Sequence, residues 1–162
     1  RSDMNNFHFS RRGAMLAMAA ALSTGSTLAK AGTGSGEKPN LLSITKDPSC
    51  GCCGAWADLA IKAGFKVEIT ETADYEGMKR AGRVPEHLWS CHTALIDGYV
   101  IEGHVPFAAI RQLQKQRPDI IGIAVPGMPE GSPGMGGGVD ASADVLAWGG
   151  SAGDGRPFAL DK

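Results

Sequence analysis

Three of the four cysteines in this chain fall within four residues, as Cys50-Gly51-Cys52-Cys53, and the fourth, Cys91, stands alone. The cluster follows a short apolar run, Asn40-Leu41-Leu42-Ser43-Ile44-Thr45, that fits a buried strand. It precedes Gly54 to Ala63, where Trp56, Leu59, Ala60 and Ala63 recur at helical spacing. A packed core rarely calls for adjacent thiols, whereas a loop joining a strand to a helix often carries chemistry. The fold must therefore serve this loop, and the first question is what brings Cys91 to it or keeps it away.

The remaining pattern narrows the answer. Lys66 to Thr70 alternates polar and apolar and reads as a strand, and Asp74 can cap a helix running to Ala81, with Gly82 ending it. Thr93 to Ile96 is the next strand, Asp97-Gly98 a tight turn, and Tyr99 to Glu102 the returning strand. Phe107 to Gln116 is an amphipathic helix stopped by Pro118. The order β-α-β-α-β-β-α is that of an α/β, thioredoxin-like fold, a central mixed sheet flanked by helices. Beyond it, Ile120 to Val125 is apolar, the stretch around Pro126 to Met135 is irregular and rich in Pro, Gly and Met, and Val145 to Trp148 fits an edge strand. The domain is expected over residues 40–148, with a loose tail at 149–162.

The N-terminal part reads as targeting rather than fold. Arg1-Ser2-Asp3 precede Met4 as a cloning remnant, Arg11 and Arg12 precede an apolar run from Ala14 to Leu22, and Ala29-Lys30-Ala31 fits a cleavage site. Residues 1–31 are therefore expected to be an export signal and 32–39 a linker. Ser10-Arg11-Arg12 resembles a twin-arginine signal, with a Sec signal as the alternative. The apolar run is too short for a stable membrane span, so the expected location is the periplasm, where disulfides persist. With 16 Lys+Arg against 17 Asp+Glu, neither sign of charge dominates, which argues against a nucleic-acid partner.

In a thioredoxin-like layout the loop before the first helix carries the reactive thiols, and the loop before the third strand packs against it. Cys91 falls in that second loop, so the fold would bring four sulfurs together. The helix N-terminus favours the thiolate of a nearby cysteine. Three chemistries then compete. Thiolates select soft metal ions such as Cu(I), and the crowded Cys-x-Cys and Cys-Cys spacings suit bridging thiolates in a multinuclear cluster better than four corners around one Zn(II). Cys50 and Cys53 have the Cys-x-x-Cys spacing for thiol–disulfide exchange, with Cys52 or Cys91 resolving. Finally, the cysteines could simply staple an exported domain.

At this point several ordered motifs carry a family likeness. Lys46-Asp47-Pro48-Ser49-Cys50-Gly51-Cys52-Cys53, Ser90-Cys91-His92-Thr93, Glu102-Gly103-His104-Val105-Pro106 and Ala124-Val125-Pro126-Gly127-Met128-Pro129, with Gly131-Ser132-Pro133-Gly134-Met135, resemble the periplasmic CopG family of bacterial copper resistance. That family was long described as a domain of unknown function and is unrelated to the DNA-binding repressor of the same name. The likeness runs from about Asn40 to Met135. It implies a thioredoxin-like fold and a tetranuclear Cu(I)–thiolate cluster on Cys50, Cys52, Cys53 and Cys91. It also implies a role in copper redox interconversion or handling, with copper ions and other periplasmic copper-handling proteins as partners. It implies no settled catalytic activity; a metal-binding protein is the favoured reading, a thiol–disulfide oxidoreductase using Cys50 and Cys53 is the alternative, and no catalytic residue is assigned.

Other side chains are weaker candidates. His104, close to a strand end, either lines the site or caps a turn. His92 follows Cys91 directly, and strand alternation points it away from the sulfurs towards an interior hydrogen bond. Met128 and Met135 offer soft thioethers that suit Cu(I) or else fill packing gaps. Trp56 and Trp89 flank the thiol segments as apolar shielding, and His87 reads as a solvated loop side chain.

Overall fold

The computed structural model describes residues 40–160. The expected export signal and linker, 1–31 and 32–39, lie outside the described residues. Strand β1 (Leu41–Lys46) leads into helix α1 (Gly51–Lys62), followed by β2 (Lys66–Glu71) and α2 (Tyr75–Ala81). Strands β3 (His92–Ile96) and β4 (Tyr99–Glu102) form a hairpin, and α3 (Phe107–Gln116) and β5 (Gly122–Ala124) follow. Strands β6 (Leu146–Trp148) and β7 (Arg156–Pro157) complete one seven-stranded sheet in the order β2-β1-β3-β4-β5-β6-β7. Pairing is parallel for β1 with β2 and for β4 with β5, and antiparallel elsewhere, so the sheet is mixed. Among the described residues the protein is thus an α/β fold with a mixed sheet and three α-helices.

Local chemistry accounts for these elements. Along β1 the buried positions alternate, and Leu42 and Ile44 join Ala94, Ile96 and Ile101 in the main core with Trp56, Ala60, Phe107, Ile110 and Leu113 from α1 and α3. Val100, one residue out of phase with Ile101, joins a second cluster with Val84, Leu88, Ala124 and Trp148. Strand β4 is buried along its whole length, as expected of a strand covered on both faces. Asp74 caps α2 by accepting from the Gly77 amide at 2.8 Å. Asp97 and Gly98 both take positive φ, 49° and 84°, as the two-residue hairpin turn requires.

Two boundaries differ from the sequence reading. Helix α1 begins at Gly51, not Gly54, with Cys50 as its N-cap residue. Glycine and cysteine carry no helical periodicity, so the first turn was invisible to a spacing argument. The sheet also runs on past Trp148. A 3-10 turn at Gly150–Ala152 buries Ala152 in the main core, β7 pairs with β6, and Phe158 and Leu160 pack against the core. Strand β6 is therefore not the edge. A two-residue strand ending in proline gives no alternating signal, and its edge position is one that proline tolerates.

Candidate metal centre

Helix α1 and the segment before β3 build the site. Cys50 sits at the N-cap of α1, and Cys52 and Cys53 lie in its first turn, where the free amides and the helix dipole favour negative sulfur. The approach is held by Asp47, whose carboxylate accepts from the Ser49 amide at 2.8 Å and from its hydroxyl at 2.5 Å. Those hydrogen bonds, from the Ser49 side chain first, hold the Asp47 carboxyl below its usual range. Cys91 comes from the residue directly before β3.

The sulfurs converge. Cys52 Sγ lies 3.6 Å from Cys50 Sγ and 3.8 Å from Cys91 Sγ, and the four sulfurs all lie within 4.8 Å of one another. Two thiolates each about 2.3 Å from one tetrahedral ion sit roughly 3.8 Å apart, so these separations are of ligand size. In this state Cys50 and Cys53 form a disulfide, and Cys52 and Cys91 are free. Cys53 is fully buried, while the other three are half-buried, so the group opens to solvent on one side.

Two imidazoles also stand against Cys91. His104 lines the site: its Nε2 is 2.9 Å from Cys91 Sγ, and its Nδ1 is 2.7 Å from the Pro133 carbonyl. A carbonyl only accepts, so Nδ1 carries the proton and donates, which leaves the Nε2 lone pair facing the sulfur. His92 departs from the alternation argument. Its Nδ1 lies 3.4 Å from Cys91 Sγ, and its Nε2 is buried with no hydrogen-bond partner among the described residues. Strand alternation failed here because Cys91 precedes β3 and is not part of its pleat. The His92 ring packs on Trp56, with centroids 4.7 Å apart, and meets His104 edge-on at 5.2 Å. Trp56 is itself fixed, its indole N–H donating to the Val105 carbonyl at 3.1 Å.

Burial sets the protonation states. It pushes both imidazoles down, His92 strongly, so both are neutral. Burial, then the neighbouring Cys52, pushes the Cys91 thiol up to about 12. Metal-free Cys91 is therefore a thiol positioned to donate its proton to His104 Nε2.

Behind the site lies a buried charge pair that the sequence reading missed. Lys79 Nζ is 2.6 Å from Glu102 Oε1, and both side chains are fully buried. Lys79 also donates to Thr93 Oγ1 at 3.2 Å, Thr93 donates to Glu102 Oε2 at 2.7 Å, and the Ser90 amide donates to Glu102 Oε1 at 2.6 Å. Burial pushes Lys79 down and Glu102 up, each opposed by the other's charge. The pair ties α2 and β4 to the backbone one residue before Cys91. A glutamate closing the otherwise apolar β4 was the available signal. Next to it, Gly103 has φ +73°, and a Cβ there would lie 2.4 Å from that of Ser90, so the loops touch only because position 103 is glycine.

The remaining candidates sit apart or alongside. Met128 stands in solvent, 54% exposed. Met135 is half-buried beside Gly134, whose turn presses against the backbone of Trp56 and Cys52 in α1. Trp89 donates to the Val84 carbonyl at 2.9 Å and packs edge-on with Tyr75, and His87 is exposed with its Nε2 2.8 Å from the Asp154 carbonyl.

Comparison with known proteins bears on this arrangement. Residues 88–135, which include Cys91, both site histidines and both methionines, match a family described as a protein of unknown function, DUF411. No curated protein matches the chain. Two solved structures, forms 1 and 2 of the copper resistance protein CopG, are each 40% identical to it. They superpose with TM-scores of 0.66 and 0.67 and cover 76% and 77% of this chain and 98% and 100% of their own. At that identity, and with nearly the whole of each of those chains covered, the chain belongs to the CopG copper resistance family.

Proposed function

We propose that this chain is a periplasmic copper-binding protein that holds a multinuclear Cu(I)–thiolate cluster on Cys50, Cys52, Cys53 and Cys91 and serves copper resistance. The observation that carries the reading is the convergence of four sulfurs within 4.8 Å, in a chain 40% identical to a copper resistance protein. Copper here is cargo. Thiolate donors and the half-buried opening suit a soft ion that enters and leaves. The disulfide state offers two thiols, and adding two electrons and two protons to Cys50–Cys53 restores four. Uptake then releases thiol protons as sulfur takes metal. The thioredoxin-like assignment and the export signal belong to the same proposal, since they place the loop and its compartment. Among the described residues no helix is long and apolar enough to cross a membrane.

Anaerobic titration of the reduced protein with Cu(I) tests it. Several copper ions should bind per chain, and replacing all four cysteines should abolish uptake; a stoichiometry of zero, or copper retained without cysteines, overturns the reading. A second reading is favoured by one observation, the Cys50–Cys53 bond at a helix N-terminus with Cys50 half-buried and Cys53 buried. This is an arrangement suited to thiol–disulfide exchange. Robust insulin reduction by the metal-free protein, merely inhibited by copper, would establish an oxidoreductase instead.

A further inference from the structure

Cys91 has two imidazole neighbours that the four-sulfur group does not include. Cys91 Sγ, an imidazole nitrogen of His92 and one of His104 lie within 4.8 Å of one another, and none of them belongs to the disulfide. We propose that Cys91, His92 and His104 form a second metal site, which takes one borderline divalent transition-metal ion and remains available when Cys50 and Cys53 are oxidised. The inference adds to the reading of the same centre as a copper site but does not depend on the cluster.

Three observations carry it. First, His104 has the arrangement typical of a metal-binding histidine. One ring nitrogen donates to a backbone carbonyl, here Pro133, and this fixes the tautomer and aims the other lone pair at the site. Second, His92 is a fully buried imidazole whose Nδ1 faces the sulfur at 3.4 Å. Apolar packing against Trp56 alone would not require an imidazole there. Third, the spacing fits. A thiolate and an imidazole on one tetrahedral ion are roughly 3.5 Å apart, from metal–sulfur and metal–nitrogen bonds of about 2.3 and 2.0 Å. His92 Nδ1 is already at 3.4 Å, and His104 Nε2, at 2.9 Å, needs only to trade a hydrogen bond for a metal bond.

The donor set chooses the ion. Two imidazoles with one thiolate suit Zn(II) or Cu(II), whereas all-sulfur sites favour Cu(I). Binding exchanges the Cys91 thiol proton for the ion, with no change of oxidation state. Three protein donors leave a fourth position open. Cys91 then belongs to both groups, and its sulfur can bridge between them.

The test uses the disulfide form of the full chain with no reductant and with Co(II) as a redox-inert, spectroscopically visible probe. In Cys52→Ser, where Cys91 is the one remaining thiol, one Co(II) per chain should bind with a thiolate-to-cobalt charge-transfer band, and Zn(II) should displace it. Adding Cys91→Ser should remove the band, and His104→Gln should weaken binding at least tenfold. On the unaltered disulfide-form protein, Zn(II) should shift the ring 15N resonances of His92 Nδ1 and His104 Nε2, a readout independent of any variant's folding. No band, a band that survives loss of Cys91, or zinc binding that leaves both rings unshifted overturns the site. Reduced protein that fails to load Cu(I) would overturn the cluster alone. A disulfide form that binds no divalent ion would overturn this site alone.

Discussion

At the scale of single residues, Cys52 is where the proposed metal binding and disulfide chemistry can be tested apart. It takes no part in the disulfide, yet its sulfur lies within 3.8 Å of both Cys50 and Cys91. Cys52→Ser should cut anaerobic Cu(I) capacity by half or more while the Cys50–Cys53 disulfide still forms, as read by metal analysis and thiol counting on one sample. Unchanged copper capacity would remove Cys52 from the donor set. Cys91 makes a second claim. Its thiol is raised from the ordinary range near 8.5 to about 12, so at pH 8 its thiolate fraction is lower by roughly three powers of ten. Alkylation of Cys91 in the metal-free protein should be at least a hundredfold slower than that of a solvent thiol. The sign for stability follows. The folded state holds this proton more tightly than the unfolded chain, so the stabilisation is complete below about pH 8.5 and is lost as pH rises towards 12. Denaturant midpoints falling across that window, and flattening in Cys91→Ala, would be the check.

At the scale of elements, the buried pair of Lys79 in α2 and Glu102 in β4 positions the segment that delivers Cys91. Lys79→Met strands a buried carboxylate and should cost about 3–5 kcal/mol in urea unfolding. Replacing both, Lys79→Met with Glu102→Gln, should cost much less, because no unpaired charge remains. Equal losses in the single and double variants would show that the side chains act by packing and not as a pair. This pair also marks where sequence reading stops. Periodicity, caps and the Asp97-Gly98 turn made most strands and helices legible, including the limits of α3, because those signals are local. Strand order placed Cys91 beside the thiol loop. The ion pair, the facing of His92 and the three extra residues at the start of α1 depend on what lies across the interior, and no spacing along the chain records that. His104 was legible only as one of two alternatives, and the Pro133 carbonyl that orients its ring lies 29 residues away.

At the scale of the whole molecule, the C-terminal residues complete the sheet. Ending the chain at Trp148 would remove buried Ala152, the packed Phe158 and Leu160 and the β7 ladder. It should lower stability by about 2 kcal/mol or more and expose the edge of β6. The four-sulfur group lies on α1 and before β3, not on these strands, so copper stoichiometry at low temperature should be unchanged in the shortened protein. Lost stoichiometry with stability retained would place part of the site in the tail.

The Cys50–Cys53 bond also imposes a rule of parity. Opening or closing it moves two electrons, while copper changes its common oxidation states by one. Any direct exchange between this bond and copper therefore engages ions in pairs, or one ion together with an electron from outside. A centre that holds several ions could balance both electrons internally, whereas a single-ion site would need the outside electron to avoid leaving a sulfur radical.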